Sequence, residues 1–287
     1  MTAHDLIDIL APMAAGLIML GTGMGITIRI LAEAIGDFMP LLMIVVLQVV
    51  AMPLAAFAVA WVAGLSPELS MGLLLLSACP TTAIAVMFTD LSKGDARPTT
   101  LGLVLTTLGS MASMSLLLHL GMRTFLGVGT PVQLPMAPLF QALAVHTVLP
   151  LTIGMVYSAL SETSKSMAPL IKGMGLLAVI ALTVAIIVAE FDVLMYWIPR
   201  VAGACIALCA IMSSIAALLA WLLEIRLPPA AAVTQSMAFK DTYLATAVLA
   251  GLFSGQAAYV APAIVYGLVQ LIAGTVIAVI YRRAARA

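Results

Sequence analysis

One pattern constrains this chain more than any other: unbroken apolar stretches, each long enough to cross a bilayer as a helix. With a window of about 19 residues, they fall at 8–29, 39–64, 69–92, 98–120, 134–158, 168–190, 200–224, 229–253 and 257–281. Hydrocarbon offers no partner to a backbone N–H or C=O, so such stretches must close their hydrogen bonds internally, as helices or as a sealed barrel. Barrel strands would read as segments of about ten residues with alternating polarity, which these are not. Of 287 residues, 64% are hydrophobic and 8% charged, where soluble domains carry about 25% charged residues. The expectation is an all-α polytopic membrane protein with nine transmembrane helices, a single membrane domain over 1–287.

The connections between stretches are short, which leaves no room for catalysis in a separate soluble domain and argues against an enzyme. Twelve basic and twelve acidic residues balance to a net charge of zero, so no basic face for nucleic acid is present. Cys79, Cys205 and Cys209 all lie in apolar stretches and read as small hydrophobes, not as a metal site or disulfide. Residues 1–8 hold Asp5 and Asp8 and no Lys or Arg, unlike the basic start of a cleaved signal peptide, so the first stretch is expected to remain as a span. With the N-terminus outside, the cytoplasmic ends hold Arg29, Lys93, Arg97, Lys165, Lys172, Arg226, Arg282, Arg283 and Arg286, against Arg123 and Arg200 outside. That asymmetry predicts an inner-membrane protein with a periplasmic N-terminus and a cytoplasmic C-terminus.

Two stretches are interrupted. Pro80, in Ser77-Ala-Cys-Pro-Thr-Thr82, removes a helix hydrogen bond at mid-membrane and frees carbonyls that something must solvate. The eighth stretch opens with Pro228 and Pro229 and carries the polar run Thr234-Gln-Ser-Met-Ala-Phe-Lys-Asp-Thr242. Discontinuous helices of this kind build midplane sites in transporters. Spans 1–4 and 6–9 each place the interrupted helix third, and an offset of five spans reverses direction, which predicts an inverted repeat. Gly102-Leu-Val before Gly109-Ser110, and Gly267-Leu-Val before Gly274-Thr275, add a sequence hint.

Lys240 and Asp241 are the residues that most demand an explanation, since each charge costs about 2.5–3.5 kcal/mol at the middle of a span. Residues i and i+1 do not face each other on a helix, so the two lie at an unwound segment or have separate partners. His146, four residues before Pro150, suits either a hydrogen bond at a kink or a proton-carrying role. Gly21-Thr-Gly-Met-Gly25 follows no strand and reads as a helix-packing surface rather than a phosphate loop. No Ser/His/Asp grouping, HExxH or Walker motif occurs.

In order along the chain, Ile18-Met-Leu-Gly-Thr-Gly-Met-Gly-Ile26, Gln48-Val-Val-Ala-Met-Pro53, Ser77-Ala-Cys-Pro80, Leu91-Ser-Lys-Gly-Asp95, Leu244-Ala245, and Pro262 with Tyr266 and Gln270 resemble the bile acid:sodium symporter family over nearly the whole length. The resemblance implies an inverted-repeat core with two crossing discontinuous helices, here about 69–120 and 229–281 with 39–64, and panel-like remaining spans. It implies secondary transport by alternating access, the shorter nine-span form, and no cofactor.

The family binds two sodium ions through a Ser-Asn pair in the first broken helix and a Glu-x-x-x-Gln-Asn run in the second. In this chain the matching positions hold Ala85 and Val86, then Ser236, Lys240 and Asp241, and Gln48 and Thr99 alone keep suitable oxygens. Hard cations need several oxygen ligands, so Lys240 is expected to occupy the space and charge of a missing sodium, with coupling to protons or to nothing. The expected solute is a small organic anion or zwitterion, met by Lys240, Asp241, Gln48, Ser236, Thr82 and Gln270. Lys240, Asp241, Gln48, Thr99 and His146 are the ion-coupling candidates. The alternatives are a sodium-dependent symporter of bile-acid-like anions, and a membrane sensor or scaffold of the same fold. Beyond the solute and the lipid bilayer, no protein partner is expected.

Overall fold

The computed structural model describes residues 3–25, 38–127, 141, 144–161, 163–189, 191–253 and 256–286. Among these every regular element is helical: α1 Ala3–Gly25, α2 Phe38–Val46, α3 Met52–Val62, α4 Pro67–Ala78, α5 Ala83–Leu91, α6 Ala96–Phe125, α7 Leu149–Leu160, α8 Ser164–Ala189, α9 Phe191–Leu222, α10 Leu227–Ala238, α11 Thr242–Leu252 and α12 Ala257–Ala284. Wide π turns at Leu47–Ala51 and Ala144–Val148 lead into α3 and α7. Each lies just before a proline, Pro53 or Pro150, whose missing N–H leaves the preceding turn free to widen.

Among the described residues, four helical segments are long and apolar enough to cross a membrane: 38–62, 166–189, 194–222 and 257–284. Two bent pairs, α4 with α5 at 69° and the halves of α6 at 51°, raise the number to six if each pair is one span. Residues 26–29, 134–140, 142–143 and 190 of the expected spans, with Arg29, lie outside the described residues.

Two compact units make up the chain. The first, 1–38 and 136–191, packs α1 against α7 and α8 through glycines. A Cβ on Gly23 would collide with the Leu151 carbonyl, one on Gly154 with the Leu20 carbonyl, and one on Gly21 would come within 2.8 Å of Lys172 Cγ. The Gly21–Gly25 run is thus a packing face, as helices need where backbones touch. Ser164 Oγ donates to the Met24 carbonyl at 3.3 Å within the same unit.

The second unit, 39–135 and 192–287, holds both interrupted helices. Its chain passes through the same turn twice. Gly64 N donates to Trp61 O at 3.2 Å and Leu65 N to Ala60 O at 3.1 Å, while Glu224 N donates to Trp221 O at 3.1 Å and Ile225 N to Ala220 O at 2.9 Å. The pattern is a left-handed helix stop, with φ of 61° at Gly64 and 53° at Glu224. Each turn leads into a helix of 12 residues, α4 or α10, which ends in an extended residue, Cys79 (ψ 146°) or Phe239 (ψ 130°). Close helix contact recurs here too: a Cβ on Gly72 of α4 would collide with the Tyr259 carbonyl of α12. Asp95 N donates to the Pro228 carbonyl at 2.9 Å, tying the start of α6 to the start of α10, and the Asp95 carboxylate caps α6 at Arg97 N, 3.0 Å.

Candidate functional site

Both broken helices stop for local reasons. Pro80 cannot donate, so α4 ends at Ala78 and the chain runs extended through Cys79 to Thr82 before α5 begins. Breaking α10 leaves Phe239 to Asp241 outside helix, and Asp241 starts α11 by accepting from Leu244 N at 3.0 Å. The two breaks touch through the backbone: Asp241 N donates to the Pro80 carbonyl at 2.9 Å.

Lys240 crosses this junction. Its side chain has 0% exposure, and Nζ donates to the carbonyls of Ser77 at 2.9 Å and Cys79 at 3.2 Å. Gln48, carried on the π turn before α3, donates Nε2 to the same Cys79 carbonyl at 2.7 Å. A carbonyl freed by helix interruption must find donors away from water, and here the Lys240 amino group and the Gln48 amide supply them. Behind the break, the Lys240 N–H is held by Gln270 Oε1 at 2.8 Å. Tyr266 Oη donates to the Ala238 carbonyl at 3.1 Å.

The residues singled out from sequence are therefore distributed unevenly. Lys240, Asp241, Gln48 and Gln270 meet at the breaks, and Thr82, half-buried, opens α5 without capping it by its side chain. Lys240 and Asp241 do not pair: no carboxylate lies within ion-pair distance of the ammonium among the described residues. Ser236 is turned to its own helix, donating to the Ala232 carbonyl at 2.8 Å. Thr99 sits 3.1 Å from Thr89 Oγ1 and 3.5 Å from the Ala232 carbonyl, so it ties α6 to α5 and α10. Ala85 and Val86 are fully buried in α5 and offer no side-chain oxygen. His146 lies on the second π turn, in the other compact unit, and its side chain is outside the described residues.

Gln235 was not among the expected site residues. It is fully buried and donates Nε2 to Ser92 Oγ at 2.8 Å and to the Gly274 carbonyl at 3.0 Å, linking α10 to the end of α5 and to α12. The polar run of the eighth stretch contained it, but only the helical phase of α10 decides that Gln235, and not Ser236, reaches across. The amide oxygens of Gln48 and Gln235 have no partner among the described residues. Among the described residues no cluster of three or more metal-ligating side chains occurs.

Comparison with known families matches residues 12–197 to the model described as Sodium Bile acid symporter family. The matched stretch contains Gln48 and the first break and ends before α10. Comparison with curated proteins returned no match.

Proposed function

Since the chain belongs to the sodium bile acid symporter family, whose members are membrane transporters of bile-acid-like or organic solutes, we propose that it carries a small organic anion or zwitterion across the inner membrane without sodium. Nine spans, an inverted repeat and alternating access about the two breaks complete the reading. The twice-used helix stop supports the repeat, because Gly64 and Glu224, Leu65 and Ile225, and Ser70 and Ala230 take matching hydrogen bonds 160 residues apart in each case.

One observation carries the sodium independence: the Lys240 ammonium lies where the breaks meet and donates to the Ser77 and Cys79 carbonyls. Those oxygens already hold a cation that cannot leave. Sodium coupling needs an ion that binds and departs in each cycle, whereas a tethered ammonium has the same affinity for its own chain in every salt. Ala85 and Val86 remove two further oxygens from α5. Proteoliposomes should take up solute at the same rate when external sodium is replaced by potassium or choline. A steep fall on replacement would mean that a sodium ion binds beside Lys240 and would end this reading.

A further inference from the structure

We propose that the transported solute is a zwitterion whose ammonium pairs with Asp241 and whose anionic end is received at the open first turn of α5; this deepens the transport reading above and rests on it. The two charges at the breaks differ in reach. Lys240 is enclosed, with 0% exposure, and two of its three donors are engaged by the Ser77 and Cys79 carbonyls. Asp241, the next residue, is half-buried. Its carboxylate accepts from the Leu244 N–H of its own helix, and its backbone is pinned to Pro80. No basic side chain lies within ion-pair distance of it among the described residues. A guest at this crossing therefore meets the negative charge, not the positive one.

Charge balance then selects the guest. Lys240 and Asp241 together make the empty crossing neutral. An unpaired charge at membrane depth is costly, so a monoanion is opposed twice, by Asp241 at close range and by the net charge it leaves. A monocation satisfies Asp241 but leaves the loaded crossing positive. A zwitterion pairs with Asp241 and keeps the total at zero. The two helix starts are unequal in a way that places its other end. The first turn of α11 is already capped by the Asp241 carboxylate. That of α5 has no side-chain cap from Thr82, and the adjacent Thr81 hydroxyl is fully buried with no partner among the described residues. Helix starts favour anions through their free N–H groups; here Ala85 N turns back to the Thr82 carbonyl at 3.0 Å, while the Ala83 and Ile84 N–H groups have no partner among the described residues. Loaded and empty forms then carry equal charge, so the carrier returns without a coupling ion.

The test uses the purified full-length protein, in detergent for thermal shift and in proteoliposomes for exchange. Probes are matched by skeleton: leucine, 4-methylpentanoate and 3-methylbutylamine; phenylalanine, 3-phenylpropanoate and 2-phenylethylamine; 4-aminobutyrate, butanoate and propylamine. A zwitterion should stabilise and exchange, preferred over both of its single-charge partners by about tenfold or more, the scale of losing one member of a buried charge pair. Asp241→Asn keeps an oxygen for Leu244 N and should melt like the parent, yet shift preference toward the carboxylate. Preference of the parent protein for the carboxylate overturns the zwitterion assignment and leaves transport standing, as does unchanged selectivity in Asp241→Asn. Failure of all nine probes to exchange through protein with an intact melting transition overturns both.

Discussion

Taking the ammonium away from Lys240 leaves the Ser77 carbonyl without its side-chain donor and the Cys79 carbonyl with Gln48 alone. Lys240→Ala should lower stability by about 2–5 kcal/mol, the range for leaving buried polar groups unsatisfied and breaking a charged contact. Solute binding should vanish with it. Sodium added to this variant alone should recover part of the melting temperature, since the vacated oxygens then solicit a free cation. Melting curves with sodium or choline chloride decide the point, and an unaltered melting temperature would show that the ammonium does not hold the crossing together. At this scale the sequence was half legible. Two charges inside an apolar stretch demand partners, and the i, i+1 spacing says that the partners differ. It does not say which they are, because the acceptors at Ser77, Cys79 and Pro80 are backbone oxygens that any residue supplies. Gln235 was hidden for a related reason: beside Ser236 in one polar run, only its phase on α10 sets it apart.

At the level of helices, the twin stops before α4 and α10 set up a comparison within one molecule. Gly64 suits a left-handed residue, whereas Glu224 holds the same conformation at a cost of about 1 kcal/mol for a side chain with a Cβ. Glu224→Gly should therefore stabilise by up to about 1 kcal/mol, and Gly64→Ala should destabilise by a similar amount. Thermal melts of the two variants, read side by side, check opposite signs. Gly72→Ala tests close packing instead: its new methyl must displace the Tyr259 carbonyl and Pro262, which should cost about 1–3 kcal/mol. Sequence reading found both interruptions, the first from Pro80 and the second from the polar run Thr234–Thr242, since a membrane helix tolerates neither without cause. The π turn that carries Gln48 escaped it. Pro53 marks a perturbed helix, but whether the strain appears as a kink or as one extra residue per turn depends on what packs alongside.

For the molecule as a whole, the asymmetry of the basic residues predicts a cytoplasmic C-terminus. A cytoplasm-active fluorescent reporter fused at Ala287 should light up, and alkaline phosphatase fused there should stay inactive, given Arg282, Arg283 and Arg286 at that end. Phosphatase activity would overturn the odd number of spans. All-helical membrane character was legible from apolar run length alone, because hydrocarbon leaves the backbone so few options. The exact span count is harder to read, since broken pairs such as α4 with α5 divide one crossing between two short helices. The enclosed Lys240 has a last consequence, for how this protein withstands its surroundings. A diffusible ion is lost on dilution, in soft water or in a desalted detergent micelle, and whatever it bridges then loosens. An ammonium attached to the chain keeps the same local concentration at Ser77 and Cys79 however dilute the medium. The crossing should thus stay assembled in fresh water and in salt-free buffers, where ion-bridged carriers come apart.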